Sequence, residues 1–388
     1  MDDIFGIPAP LLFGQVLLGL INGAFYALLS LGLAVIFGML NVINFAHGAQ
    51  FMMGAFAAWM LLSMGSNDTA RLGLALLLLP TFVLLLEWGL SHVRLSVSVR
   101  RTIVIGLSAL WLCTILLPLV PYLDVVMARS MDASGGGVLQ WLFADGGPFA
   151  RMLGVIFPNG LGYWWSLLLA PLLVGTTGIL AERLLISPLY RLDHLYGLLL
   201  TFGVGLIIEG IFRNQYGSSG LPYRIPPELQ GAWDLGFMYM PVYRGWVVVV
   251  AVVMCLATWL VIEKTKIGSY LRAATENPAL VQAFGINVPR MMTLTYGAGV
   301  ALAAFAGVLA APIYSVNPQM GSNLIIIVFA VVVIGGMGSI LGSVVTGFGL
   351  GIIEGLTKVF YPEASSTVIF VVMAIVLLAR PAGLFGRA

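Results

Sequence analysis

Metal or acid–base chemistry would fall first to the three histidines, yet His47, His92 and His194 stand far apart and none lies in an HExxH pattern. A zinc hydrolase has no ligand set here. The chain has no GxxxxGK[ST] loop and only three lysines, Lys264, Lys266 and Lys358, so it cannot hydrolyse ATP through a phosphate loop of its own. Cys113 and Cys255 each sit inside an apolar run, which suits inert buried thiols and implies no disulfide or metal framework. Two acids lie in apolar runs, and each has a base four residues on: Glu209 with Arg213 in IIEGIFRN, and Glu354 with Lys358 in IIEGLTKV. With the acid N-terminal at i, i+4 the two side chains meet on one helix face. A charge-neutralised anchor is the plainer reading of each pair, and a proton or ion relay is the alternative.

One more polar cluster asks for an explanation. NVINFAHGAQFMMGAF, residues 41–56, sets Asn41, Asn44, His47 and Gln50 in sequence that is otherwise apolar for dozens of residues on either side.

The elements that must position these residues follow from composition. Of 388 residues, 60% are hydrophobic and 9% charged, with a mean hydropathy of +1.03, values a water-soluble chain of this length could hardly sustain. Many apolar runs reach 18 residues or more, which points to membrane-spanning helices and excludes an outer-membrane barrel. The fold class is therefore all-α, a polytopic transmembrane helical bundle. A net charge of +2 with scattered basic residues gives no patch for nucleic acid. The acidic start MDDIFGIPAP lacks the positive n-region of a signal peptide, so the first apolar segment is expected to be retained.

Spans or part-spans are predicted at roughly 11–43, 50–65, 72–90, 102–121, 164–182, 195–212, 245–262, 291–311, 323–358 and 365–379. A hydrocarbon core of about 30 Å takes about 20 helical residues. Residues 11–43 should then form one span plus a broken piece, or two short pieces, and 323–358 should divide at GGMGS, residues 335–339. Lys and Arg collect beside the spans at Arg94, Arg100 and Arg101, at Arg183 and Arg191, at Lys264, Lys266, Arg272 and Arg290, and in the tail RPAGLFGRA. The positive-inside rule puts all four loops in the cytoplasm. That leaves 122–163 and 213–244 outside and the N-terminus unassigned. The longest polar loop is too short to fold alone, so residues 1–388 read as a single transmembrane domain.

Unpaired polar groups in hydrocarbon cost several kcal/mol each. Asn44, His47 and Gln50 must face protein, water or backbone freed by a break in a helix, and Gly48 and Gly54 ease a break or close packing. Paired interruptions at INFAHGA and IGGMGSILG hint at discontinuous helices beside a central pathway, with Asn22 opposite the cluster. Two short turns, or helices knitted together without meeting any cargo, are the alternatives.

The loop 263–290 carries a different signal. SYLRAATENPALVQAFGINVPR places Leu271, Ala274, Leu280, Ala283 and Phe284 at helical spacing in an otherwise polar stretch. Asn277 before Pro278 suits a helix start, and Gly285 suits its stop. A short amphipathic helix held by spans on both sides is a docking surface, or else a helix lying passively in the headgroup region.

INGAFYALLSLGLAVIFGMLNVINFAHGAQFMMGAF, the loop RAATENPALVQAFGINVPR and the tail VVVIGGMGSILGSVVTGFGLGIIEGLTKVFYPE with RPAGLFG resemble, in this order, the permease subunits of the branched-chain amino-acid ABC importers, the LivH type. The resemblance implies a bacterial inner-membrane complex of two permeases, similar or identical, two ATP-binding subunits that hold the ATP, and an external substrate-binding protein. This chain would bind no cofactor of its own and would catalyse no reaction. It also implies that the loop is a coupling element seated on the ATPase, carried by Arg272, Ala274, Glu276, Asn277 and Gly285; it is the polar cluster itself, not the resemblance, that puts Asn22, Asn44, His47 and Gln50 beside the translocation pathway. Branched-chain or similar small amino acids are the implied cargo. Urea, amides or small carboxylates come next, since family permeases share these motifs across cargoes. A secondary carrier or channel would need a free ion-coupling residue, and a membrane-embedded enzyme is less supported still. Two departures stand out. Ala49 follows NFAHG where some relatives have an acid, and residues 66–160 interrupt the similarity with what reads as an inserted helical hairpin and a Gly-rich outer loop.

Overall fold

The computed structural model describes residues 3–4, 7–40, 42–92, 98–99, 102–107, 155–236 and 238–386. Its long helices are α1 (Ala9–Leu40), α2 (His47–Ser63), α3 (Asp68–Ser91), α4 (Tyr163–Ala181), α5 (His194–Tyr216) and α6 (Val242–Lys264). Two short helices follow, α7 (Lys266–Glu276) and α8 (Pro278–Ala283). The bundle then closes with α9 (Val288–Ala310), α10 (Ser322–Gly335), α11 (Ile340–Phe360) and α12 (Val368–Ala379). Among the described residues, eight helical segments are long and apolar enough to cross a membrane.

The divide at 335–339 holds, since α10 ends at Gly335 and α11 begins at Ile340. The expectation of a break within 11–43 does not. α1 is one unbroken helix of 32 residues, about 48 Å long, so it exceeds the hydrocarbon thickness and continues past it. An unbroken helix satisfies its own backbone, whereas a break in apolar sequence would leave N–H and C=O groups with nothing to bond. The chain departs from helical geometry only after Leu40, where Asn44, His47 and Gln50 can supply partners.

Contacts at the helix ends sort the loops into two groups. At one end Arg183 pairs with Glu87 near the end of α3. There too the tail lies along the last turn of α10, with Leu384 N–H to Ile334 O at 2.8 Å, and Gly38 near the end of α1 lies against Gly338. At the other end Leu161 N–H bonds Leu61 O at 2.7 Å, Leu221 bridges to Val316, and the Tyr216 hydroxyl reaches Thr69 O at 3.1 Å. The described parts of three predicted cytoplasmic loops, 183–194, 263–290 and 380–386, thus share one end, called here the basic end. Arg94, Arg100 and Arg101 lie outside the described residues. Gly14 lies against Met238, which puts the start of α1 at the opposite end, beside the hairpin of β1 (Ala232–Asp234) and β2 (Tyr239–Pro241).

α1 is the axial helix. Seventeen of its residues are buried, and it packs on α6, α9, α10 and α11. Its companion α2 is buried along nearly its whole length against α4 and α9. Close approach explains the small residues there: a Cβ on Gly54 would run into the Ala304 carbonyl of α9. The first half of the expected insertion, α3, lies on α2 and α4 with its outer face, Leu85 and Trp88, exposed. Residues 102–107 are helical. Most of the rest of the expected hairpin and its outer loop, with Cys113, lies outside the described residues.

Candidate functional site

The polar cluster forms where the chain turns back into the bundle. After α1 ends at Leu40, residues 42–46 are not helical and α2 begins at His47. The His47 ring meets the Leu29 carbonyl at 3.0 Å. Leu29 is three helical turns before the end of α1, so residues 42–46 climb about 16 Å back inside the protein. Irregular backbone at that depth needs partners from neighbouring helices. Thr201 of α5 supplies them: its hydroxyl accepts the Phe45 N–H at 3.1 Å and lies 3.1 Å from the Ile43 carbonyl. Nothing in the sequence marked Thr201, because the requirement arises only when α5 is laid beside the break.

Asn44 and His47 are fully buried and Gln50 almost so. The Asn44 amide donates to Gln50 Oε1 at 3.1 Å, and Gln50 Nε2 donates to the Tyr296 hydroxyl of α9 at 3.4 Å. A carbonyl only accepts, so His47 bonds Leu29 through a protonated Nε2. Asn44 and Gln50 thus tie the start of α2 to α9, and His47, whose backbone N–H bonds the Asn44 carbonyl at 3.2 Å, ties it to α1. Asn22 does not join this cluster. It accepts the Tyr314 hydroxyl at 3.0 Å, two turns further along α1 toward the opposite end. Where α2 begins, Gly48 lies against Gly321, at the start of α10.

Both predicted ion pairs form. Glu209 bonds Arg213, and Glu354 bonds Lys358 at 2.6 Å while also accepting the Tyr26 hydroxyl at 2.7 Å. The second pair therefore ties α11 to α1. A third acid, Glu182, is the last residue of the predicted span 164–182 and was given no role from sequence. It is 2% exposed, sits on a π-helical turn, Glu182–Ile186, and accepts hydroxyls from Tyr190 at 2.8 Å and Thr293 at 2.7 Å. It locks the end of α4 to the first turns of α9.

At the basic end the short helix expected between Asn277 and Gly285 forms as α8, and a further helix, α7, precedes it in the loop 263–290. Asn277 separates them and its side chain accepts the Leu280 N–H at 3.0 Å, a cap. Gly285, at φ +82°, ends the unit in left-handed backbone. This break resets the helical phase. Leu271 and Val281 turn inward, while Leu280, Ala283 and Phe284 face out, Phe284 being 77% exposed. Arg272 bonds the Ile262 carbonyl at 2.7 Å and lies 3.4 Å from Glu263, so it fastens α7 to α6. Ala274 is half-buried and Glu276 exposed. Among the described residues no three His, Cys, Asp or Glu side chains gather as a metal ion would require.

The family model for the branched-chain amino acid transport system permease component matches residues 15–377. The chain belongs to that permease family. The high-affinity branched-chain amino acid permease LivH of Salmonella typhimurium is 24% identical over 380 residues, covering 96% of this permease and 95% of the relative. BraD of Pseudomonas aeruginosa is 25% identical over 383 residues, with the same coverage. LivM of Escherichia coli is 28% identical over 250 residues, 58% of each chain. No solved structure matches the permease. Members of the family are membrane components of transport systems rather than enzymes, in keeping with the multi-pass bundle described above.

Proposed function

We propose that this permease is the membrane subunit of an ATP-driven importer for branched-chain amino acids in a bacterial cytoplasmic membrane. Residues 1–388 form one domain interrupted by the insertion 66–160, and the basic end faces the cytoplasm. The permease pairs with a second permease, and the pair is served by two ATP-binding subunits and an external substrate-binding protein. The observation that carries this reading is the α7–α8 unit, which presents exposed Leu280, Ala283 and Phe284 between two spans of a chain that has no phosphate loop. A surface of that kind supports docking of a motor subunit.

The path of the motion follows from the connectivity. α9 begins four residues after Phe284, and within its first three turns it carries Thr293 and Tyr296, the partners of Glu182 and Gln50. A shift of the docked loop would pass along α9 to the end of α4 and to the polar network at the start of α2. Asn44, His47 and Gln50 would then border the pathway, holding the broken backbone in either of two arrangements while the cargo passes beside them. Asn22 would border it nearer the outside. Purified permease assembled with its ATPases and binding protein tests this reading. ATP hydrolysis should rise when leucine-loaded binding protein is added, and should fail to rise when Phe284→Asp is introduced. Equal stimulation in the variant would remove the assigned docking surface.

A further inference from the structure

α6 and α9 flank the α7–α8 loop and both pack on α1, yet they make no extended contact with each other. The gap between them is a cavity of about 900 Å³. Its floor includes Val35 of α1 and Ala298 of α9, and its rims are Val261 of α6 and Leu294 of α9, 46% and 63% exposed. It therefore opens sideways at the level of the hydrocarbon. Along α9 it runs from Arg290 to Phe305, about 22 Å, against about 15 Å for one leaflet of the core.

The charged and amide groups of this trough lie at its basic end, while its threonine hydroxyls, Thr258 and Thr295, sit further in, Thr295 bonded to the Met291 carbonyl at 2.8 Å. Arg290 is exposed and has no ion-pair partner among the described residues. Asn287 accepts the Arg290 backbone N–H at 3.1 Å through its Oδ1, which leaves its amide N–H groups outward. The Tyr270 side chain stands opposite, 43% exposed. No Asp or Glu lines the trough, and the acid at the end of α6, Glu263, is engaged by Arg272. The mouth offers hydrogen-bond donors and a positive charge, so it favours an anion.

We propose that this trough is a binding site for an anionic phospholipid of the basic-end leaflet. One acyl chain lies between α6 and α9, and the phosphate sits on Arg290. A soluble anion would have no use for an apolar trough spanning a leaflet. An apolar helix of another subunit would fill the trough but leave the guanidinium without a counter-charge, whereas an anionic lipid satisfies both parts. Because Ile267 and Tyr270 of α7 line the same mouth, the bound lipid braces the loop on which the proposed coupling rests. The site itself does not depend on that coupling.

The test is native mass spectrometry of the purified permease titrated with phosphatidylglycerol or phosphatidylcholine of identical chains. Phosphatidylglycerol should bind about five- to tenfold more tightly. Arg290→Ala should erase that preference while phosphatidylcholine binding stays as it was. Ala298→Trp, which fills the trough, should weaken both lipids. Both positions are exposed, so the variants should fold, and a melting curve checks that they do. Equal affinity for the two lipids in the unaltered protein, or a preference surviving Arg290→Ala, would overturn the proposal. So would efficient cross-linking of Ala298→Cys to the second permease, because another protein would then occupy the trough.

Discussion

The buried polar side chains at the start of α2 are held by bonds to one another and to backbone carbonyls. Gln50 is bonded on one side to Asn44 and on the other to Tyr296, so Gln50→Ala strands two buried partners at once. Within membranes such bonds contribute roughly 0.6 to 2 kcal/mol. The variant should melt at a lower temperature than the parent in the same detergent, and an unchanged melting curve would show that the network carries no stability. Glu209 and Glu354 are already satisfied by Arg213, and by Lys358 and Tyr26, which argues for anchoring over relay. Glu354→Gln and Glu209→Gln should each leave uptake by the assembled complex within about twofold of the parent, with no new dependence on an imposed proton gradient. A collapse of uptake while the melting curve holds would restore the relay. At this scale the sequence was legible where partners are near in the chain, as in the i, i+4 ion pairs and the Asn277 cap. Thr201, Tyr296 and Tyr26 were not legible, because each acquires its role from a helix more than a hundred residues away.

Between helices, the distance of approach decides which substitutions are tolerated. Gly54 of α2 faces the Ala304 backbone, whereas Gly349 of α11 has open space where a side chain would go. Gly54→Leu should prevent accumulation of folded permease, and Gly349→Leu should be accepted with little change in expression or melting temperature; similar behaviour of the two would contradict the packing described for α2. The α7–α8 unit makes a second element-scale argument. Leu280 and Phe284 project outward while Leu271 and Val281 hold the unit to the spans. Phe284→Asp should therefore spare folding and abolish stimulation of the ATPases. The sequence placed the start of α8 at Asn277 and its stop at Gly285 correctly, but did not mark α7 as a helix of its own. A helix that begins anew at Asn277 takes its own phase, so Leu280 and Phe284 face away from the side that Leu271 buries. The length of α1 misled in another way. A run longer than the bilayer suggested an interruption, but a helix that extends beyond the hydrocarbon at its ends satisfies the same arithmetic.

For the molecule as a whole, the described parts of three basic loops and the proposed docking surface lie at one end, and the start of α1 with the β hairpin lies at the other. This agrees with the grouping of these three loops drawn from Lys and Arg alone, since charge placement relative to spans needs no tertiary information. In the proposed function the permease is a conduit whose movement is supplied by other subunits. Leucine uptake into proteoliposomes tests that claim most directly. The permease reconstituted with its partner permease, ATPases and binding protein should accumulate leucine when ATP is supplied on the ATPase side and should not when ATP is absent. Accumulation by this permease alone, driven by an ion gradient, would contradict the account.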